Sequence, residues 1–252
     1  MEKYKKPFYH FSIDDVIDSL IEVSNSSGSV FSQPFFNFLD VIHKKYDTNV
    51  DLYCFYQKNT TDKPITLNDI SDKHKEIFSK NIWLRFGPHA LDTETAPYSQ
   101  TSEQQIKVFE LIYKEIERFS GVPSKCELIR LHFFTESYEL SDYFHSKSVH
   151  SLFTTDKPVI SHRMNDVVKS ELMNSGYATF NGINFIRSHF RIETLVEQNL
   201  SNKEIEDLLE HFIVTYGFVT FLTHEYELVR PEIRRITEFI LNYLHKHNVK
   251  SI

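Results

Sequence analysis

Glycine is scarce, with six in 252 residues, so few turns can rely on the positive φ that this residue tolerates. Cysteine is scarcer. Cys54 and Cys126 each sit in or beside an apolar run, and two buried free thiols in a reducing compartment are expected rather than a disulfide framework. No stretch reaches the roughly 18 consecutive apolar residues that a membrane-spanning helix needs. The basic start, Lys3-Tyr4-Lys5-Lys6, leads into no apolar h-region, so the expectation is a cytoplasmic protein without a cleaved signal. That short run is also the densest basic patch, and the formal net charge is −7, which disfavours a nucleic-acid partner.

What is abundant is aromatic: 22 Phe and 13 Tyr in a chain of otherwise ordinary hydrophobic (40%) and charged (25%) content. A single domain over residues 1–252 is expected, since α/β barrels reach this size as one unit.

Strand and helix patterns alternate along the chain. Phe8 to Ile13 predicts a buried strand ended by Asp14-Asp15, and Pro34 opens a helix through Phe35, Phe38, Leu39 and Ile42. Val50 to Tyr56 predicts a strand, Thr66 to Ser79 a helix, and Trp83 to Phe86 a short strand stopped by Gly87-Pro88-His89. Ser102 to Phe119 carries the clearest helical spacing, through Ile106, Phe109, Ile112, Tyr113 and Ile116. Glu127 to Phe134 predicts a strand, and 135–164 is the least regular section. A helix over Asp166 to Asn174, a strand or hairpin within Ala178 to Arg191, and a helix over Lys203 to Phe212 follow. Phe218 to Leu222 predicts a strand ending at Thr223-His224-Glu225, and Pro231 to His247 a closing helix. Such alternation implies a parallel sheet covered by helices, a barrel or a doubly wound sheet.

Ionisable residues collect at or past the predicted strand ends: Asp14-Asp15, His89, His132 and His224. Ligand sites of parallel α/β folds lie beyond the carboxyl ends of the strands, so four distant segments can converge on one pocket. Adjacent carboxylates there can divide labour, one holding a divalent cation and the other accepting a proton from water. Two imidazoles and one carboxylate suit Zn²⁺, and also Fe²⁺, Co²⁺ or Ni²⁺. Each residue has a structural alternative. Asp14 suits a helix cap near Val16, His89 a loop, His132 a core strand, and His224 a pair with a neighbour. Phe35-Phe36 and Phe133-Phe134 suit the core better than a sugar platform.

At these same residues the sequence resembles the polysaccharide deacetylase superfamily (carbohydrate esterase family 4, with NodB-like domains), in particular its divergent branch from O-antigen and capsule loci. Phe11-Ser12-Ile13-Asp14-Asp15 is similar to the family's first motif, and Phe221-Leu222-Thr223-His224 to its last. The resemblance implies Asp14 as catalytic base, Asp15 as metal ligand and His224 as general acid. Where the second motif has a second metal-binding histidine, Gly87-Pro88-His89-Ala90-Leu91-Asp92-Thr93 has Thr93. Arg130-Leu131-His132 resembles a variant that draws that ligand from the next strand, with Asp92 or Glu94 as other candidates. Arg130 is then expected to orient Asp14 or contact the substrate carbonyl. Thr155-Asp156 or Arg187 are candidates for an unrecognised fourth motif. The fold implied is a distorted (β/α)7-type barrel with parallel strands. The activity implied is removal of an N-acetyl or similar small acyl group from a sugar on a nucleotide- or lipid-linked polysaccharide precursor, with one divalent ion, Zn²⁺ first. Two other readings stand beside it: a metal-dependent phosphoesterase, and a degenerate deacetylase-like domain that binds a glycan or partner.

Overall fold

The computed structural model describes residues 6–134, 138–157 and 165–252. Strand β1 (Phe8–Val16) is followed by helices α1 (Asp18–Asn25) and α2 (Pro34–Tyr46), then β2 (Val50–Phe55). A small hairpin of β3 (Gln57–Lys58) and β4 (Ile65–Thr66) precedes α3 (Lys75–Lys80) and β5 (Leu84–Ala90). Helix α4 (Ser102–Phe119), β6 (Leu128–Ile129), α5 (Ser141–Ser146) and β7 (Ser151–Thr154) come next. Helix α6 (Asp166–Ser175) leads to β8 (Tyr177–Phe180), β9 (Ile183–Arg187) and β10 (Phe190–Arg191). The chain closes with α7 (Ile192–Glu197), α8 (Asn202–Tyr216), β11 (Phe218–His224), α9 (Pro231–Lys246) and β12 (Lys250–Ser251).

One sheet runs β10-β11-β1-β2-β5, all parallel, with β12 beside the start of β1; a second runs β6-β7-β9-β8. Two seams join them. Cys126 N–H donates to Phe86 O at 2.9 Å, tying the approach to β6 against β5. On the other side, β9 passes directly into β10, where Ser188 N–H bonds Thr154 O and His189 N–H bonds Thr220 O. Counting β9–β10 as one stave, the ring is β1, β2, β5, β6, β7, β9–β10 and β11: a distorted seven-strand parallel barrel wrapped by helices, one of the two arrangements the alternation allows and the one the resemblance implies. Antiparallel β8 is the exception. It pairs β9 through Asn181-Gly182, both at positive φ (47° and 76°), the backbone a tight hairpin requires.

Side chains alternate across β1, and the two faces differ in chemistry. Tyr9 and Phe11 stack on Phe221 (6.0 and 5.0 Å between ring centres), and Phe190 stacks on Phe221 from the next strand (5.5 Å). His10, Ser12 and Asp14 form the other, polar face. His10 Nε2 meets Asp51 Oδ2 at 2.9 Å, and Arg85 Nε holds Asp51 Oδ1 at 2.5 Å.

Several element boundaries differ from the sequence expectations. Strand β5 runs through Gly87-Pro88-His89 instead of stopping there, because the β2–β5 register shifts beside Pro88 and absorbs the missing N–H. Strand β6 keeps only two residues of the expected eight. The chain turns at His132–Phe134, with Phe133 and Phe134 at φ 54° and 50°. The expected helix over 66–79 is broken into a 3-10 turn (Leu67–Asp69) and α3. Asp69 caps Thr66 N–H, and Ser24 Oγ takes Ser71 N–H, so side chains compete with the helix ladder. Strand β7 falls in the irregular section, of which 135–137 and 158–164 lie outside the described residues. Both cysteines are free and buried. Among the described residues no helix is long and apolar enough to cross a membrane.

Phe221 is fully buried and packs against three aromatic rings. Phe221→Ala is therefore expected to lower unfolding free energy by about 3–5 kcal/mol, read from urea denaturation.

Candidate metal centre

Strand alternation alone would send Asp14 and Asp15 to opposite faces of the sheet. It does not, because Asp15 adopts φ 64° and the β1–β2 register shifts between Ile13 and Val16. A left-handed residue re-aims the second carboxylate, and both reach the mouth of the barrel. There Asp15 meets His89 of β5 and His132, just past β6. Asp15 Oδ1, His89 Nε2 and His132 Nδ1 lie 3.2, 3.5 and 3.2 Å apart pairwise. Two ligands bound at about 2.0–2.1 Å to one tetrahedral ion sit ~3.3 Å apart, so the triangle has the size of a zinc site. Asp15, His89 and His132 are the metal-capable cluster found among the described residues.

Hydrogen bonding decides which ring atoms face the centre. His89 Nδ1 lies 2.7 Å from Arg130 O, and His132 Nε2 lies 3.2 Å from Thr93 O. A carbonyl oxygen accepts only, so each of these nitrogens carries the proton and the opposite nitrogen presents a lone pair. Burial, with His89 alongside, pushes His132 down to about 4, so the ring is neutral at pH 7. Asp15 Oδ1 is buried and receives no donor hydrogen bond. Three potential ligand atoms thus face one another at the spacing of a coordination site, and the residues present fit a divalent ion. Phe55 packs edge-on against His132 (5.0 Å) and tilted against His89 (5.3 Å), holding both rings.

Asp14 is 3% exposed, and Arg130 Nη1 donates to its Oδ1 at 3.1 Å. The same guanidinium donates to Ser12 Oγ (2.5 Å) and Ser188 Oγ (3.1 Å), and it is 1% exposed. Of the two partners expected for Arg130, Asp14 is the one within hydrogen-bond reach. Asp14 and His224 are register partners across β1 and β11. His224 Nδ1 bonds Glu193 Oε1 at 2.6 Å. Burial alone would lower this histidine, but the Glu193 bond and the charges of Asp14, Glu193 and Asp15 outweigh it and raise the imidazole to about 9. Glu193 in turn is held below the usual carboxylate range: burial opposes its charge, and His224 more than offsets that.

The fold matches solved structures along its whole length. The Bc1960 peptidoglycan N-acetylglucosamine deacetylase superposes with a TM-score of 0.57 at 8% identity, over 99% of this chain and 86% of that one. This chain shares that structure's fold. A carbohydrate esterase family 4 pseudoenzyme from Bacillus anthracis matches at 0.54 and 8% identity, over 98% of this chain and 63% of that one. The 4-alpha-glucanotransferase of Thermococcus litoralis also matches at 0.54 and 9% identity, over 98% of this chain and 39% of that one. Proteins of this fold thus include a deacetylase, a pseudoenzyme and a glucanotransferase, and the site rather than the fold must carry the argument. No protein-family model matches the sequence, and no curated protein matches it.

The remaining sequence candidates sit elsewhere. Asp92 Oδ1 accepts from Glu94 and Thr95 N–H and Oδ2 from Gln57, so Asp92 closes a turn beside the centre. Glu94 lines the adjoining hollow of ≈ 250 Å³, with Asp15, Gln57 and Tyr226. Asp156 pairs with Arg191 at 3.0 Å, and Arg187 contributes its carbonyl to Thr220; neither meets His224. Phe35 and Phe36 are core, but Phe133 is 48% exposed beside His132. Glu193 was not among the sequence candidates. Its signal was present, a carboxylate two residues past a strand, but that strand is the two-residue β10.

The Glu193–His224 pair carries a pH signature. A pKa raised above its unfolded value of about 6.5 gives stability that is complete below pH ~6.5 and lost as pH rises through about 9. In the metal-free protein, Glu193→Gln is expected to destabilise most below pH ~6.5 and progressively less through about 9. An NMR titration of His224 would then show its midpoint falling towards ~6.5; an unmoved midpoint contradicts the pairing.

Proposed function

We propose that this protein is a metal-dependent N-deacetylase, with residues 1–252 acting as one catalytic domain on an N-acetylated sugar of a nucleotide- or lipid-linked glycan. The observation that carries this reading is the triangle of Asp15 Oδ1, His89 Nε2 and His132 Nδ1, three lone-pair atoms set beside Asp14 and His224. Asp15, His89 and His132 would hold one divalent ion, Zn²⁺ by their donor set, with Fe²⁺, Co²⁺ or Ni²⁺ also suited. Such an ion supplies Lewis-acid polarisation of the acyl carbonyl and makes water acidic enough to attack near neutral pH.

The side chains account for the proton traffic. Asp14, oriented by Arg130, takes a proton from the attacking water as the water oxygen bonds to the acyl carbon. His224, protonated below about pH 9 and held through Nδ1 by Glu193, presents Nε2 to the leaving nitrogen. Its proton passes to that nitrogen as the C–N bond breaks, giving the sugar amine and acetate. The acid suits its role, because it is a histidine kept charged at neutral pH.

Metal analysis of the purified chain is expected to give one ion per molecule, and His132→Ala to lose it. Asp14→Asn is expected to retain the ion but to cut acetate release from N-acetylated saccharides by about 10²–10⁴-fold. Two ions per chain would favour a phosphoesterase. One ion with no acetate released across a saccharide panel would favour a glycan-binding domain.

A further inference from the structure

Glu225 follows His224 directly, yet it is not part of the metal cluster. It is 8% exposed, and both oxygens of its carboxylate are spent on the start of α1. It accepts from the backbone N–H of Ile17 (2.9 Å), Asp18 (2.9 Å) and Ser19 (2.7 Å), and from the Ser19 hydroxyl. These amides are orphan donors at a helix start, which a capping side chain ordinarily satisfies. Ile17, at the cap position, makes no side-chain cap bond. The cap arrives instead from Glu225, 208 residues along the chain from Ile17.

The location makes this more than a cap. Only Val16 separates Asp15 from Ile17, so the held amides begin two residues past the left-handed carboxylate. Left-handed backbone at a residue other than glycine persists only where the surroundings hold it. At the other end of the bond network, Glu225 is joined by one peptide link to His224, whose ring is fixed by Glu193. Strands β1 and β11 are neighbours, with Asp14 opposite His224. A rigid carboxylate therefore spans the two strand ends that carry the proposed base, metal ligand and acid.

We propose that Glu225 is a positioning residue: it latches the Asp14–Asp15 turn to the His224 strand end and so sets the spacing of metal ligand, base and acid. This rests on the metal-dependent reading above. A cap that serves stability alone would lower melting temperature without touching metal affinity, whereas a latch must move both.

The test uses the full chain, stripped of metal and titrated with Zn²⁺ by calorimetry, with melting temperature and acetate release measured beside it. Glu225→Gln keeps the size of the side chain but turns one acceptor oxygen into a donor facing backbone N–H. It is expected to weaken zinc affinity at least about tenfold and to slow acetate release. Ser201→Ala removes the capping box of α8, away from the centre. It should lower melting temperature with zinc affinity unchanged. Ser19→Ala deletes one of the four donors and should weaken zinc affinity in the same direction but less. It decides the matter if Glu225→Gln does not fold. Zinc binding in wild type with affinities within twofold in the variants overturns the latch alone. A wild-type chain that binds no zinc overturns the metal centre, and the latch with it.

Discussion

A guanidinium buried in the middle of the barrel is the constraint on which this molecule depends. Arg130 is 1% exposed, and a charge so placed is tolerated only when paired and hydrogen-bonded. Its nitrogens bind Ser12 and Asp14 of β1 and Ser188 between β9 and β10, so it bridges the barrel from its own place after β6. Phe153 and Tyr53 lie under it, 5.0 and 5.8 Å from ring centre to guanidinium carbon. Its carbonyl, meanwhile, takes the Nδ1 proton of His89 and thereby turns Nε2 to the metal centre. One residue thus contacts Asp14 through its side chain and His89 through its backbone.

Around that anchor the site is assembled from strained backbone. Asp15, Phe133 and Phe134 all stand in left-handed conformation without being glycine, in a chain that has few glycines to spare. Each costs stability of order 1–3 kcal/mol. The returns are geometric: Asp15 joins Asp14 at the mouth instead of pointing away, and the turn after Leu131 delivers His132 to His89. Strain of this kind is found where the surroundings over-determine a conformation, and here the residues next to or near the strained ones, Asp14, His132 and Ile17, are bonded to Arg130, Thr93 and Glu225.

Much of the architecture was legible. The long helices were read within a few residues because apolar spacing and end signals agree, as in Ser102–Phe119, which opens with the Thr101–Gln104 capping box. What escaped were short elements and those set by contacts distant in sequence. Strand β7 has four residues, too few for periodicity to register, and β6 keeps only two of the eight expected. Proline in β5 read as a stop, although a register shift against β2 lets the strand continue to His89.

The sequence by itself determined the alternation of strands and helices, the absence of a long apolar span, and the residue types gathered at the strand ends: Asp14, Asp15, His89, His132 and His224. Those follow from local periodicity and side-chain chemistry, which a linear chain displays openly. Only the tertiary structure decided that Asp15, His89 and His132 close to within 3.5 Å, which imidazole nitrogen carries each proton, and that Glu193 bonds His224. The reason is physical. Protonation and aim are set by partners 31 to 43 residues away in the chain, brought into hydrogen-bond reach by closure of the barrel.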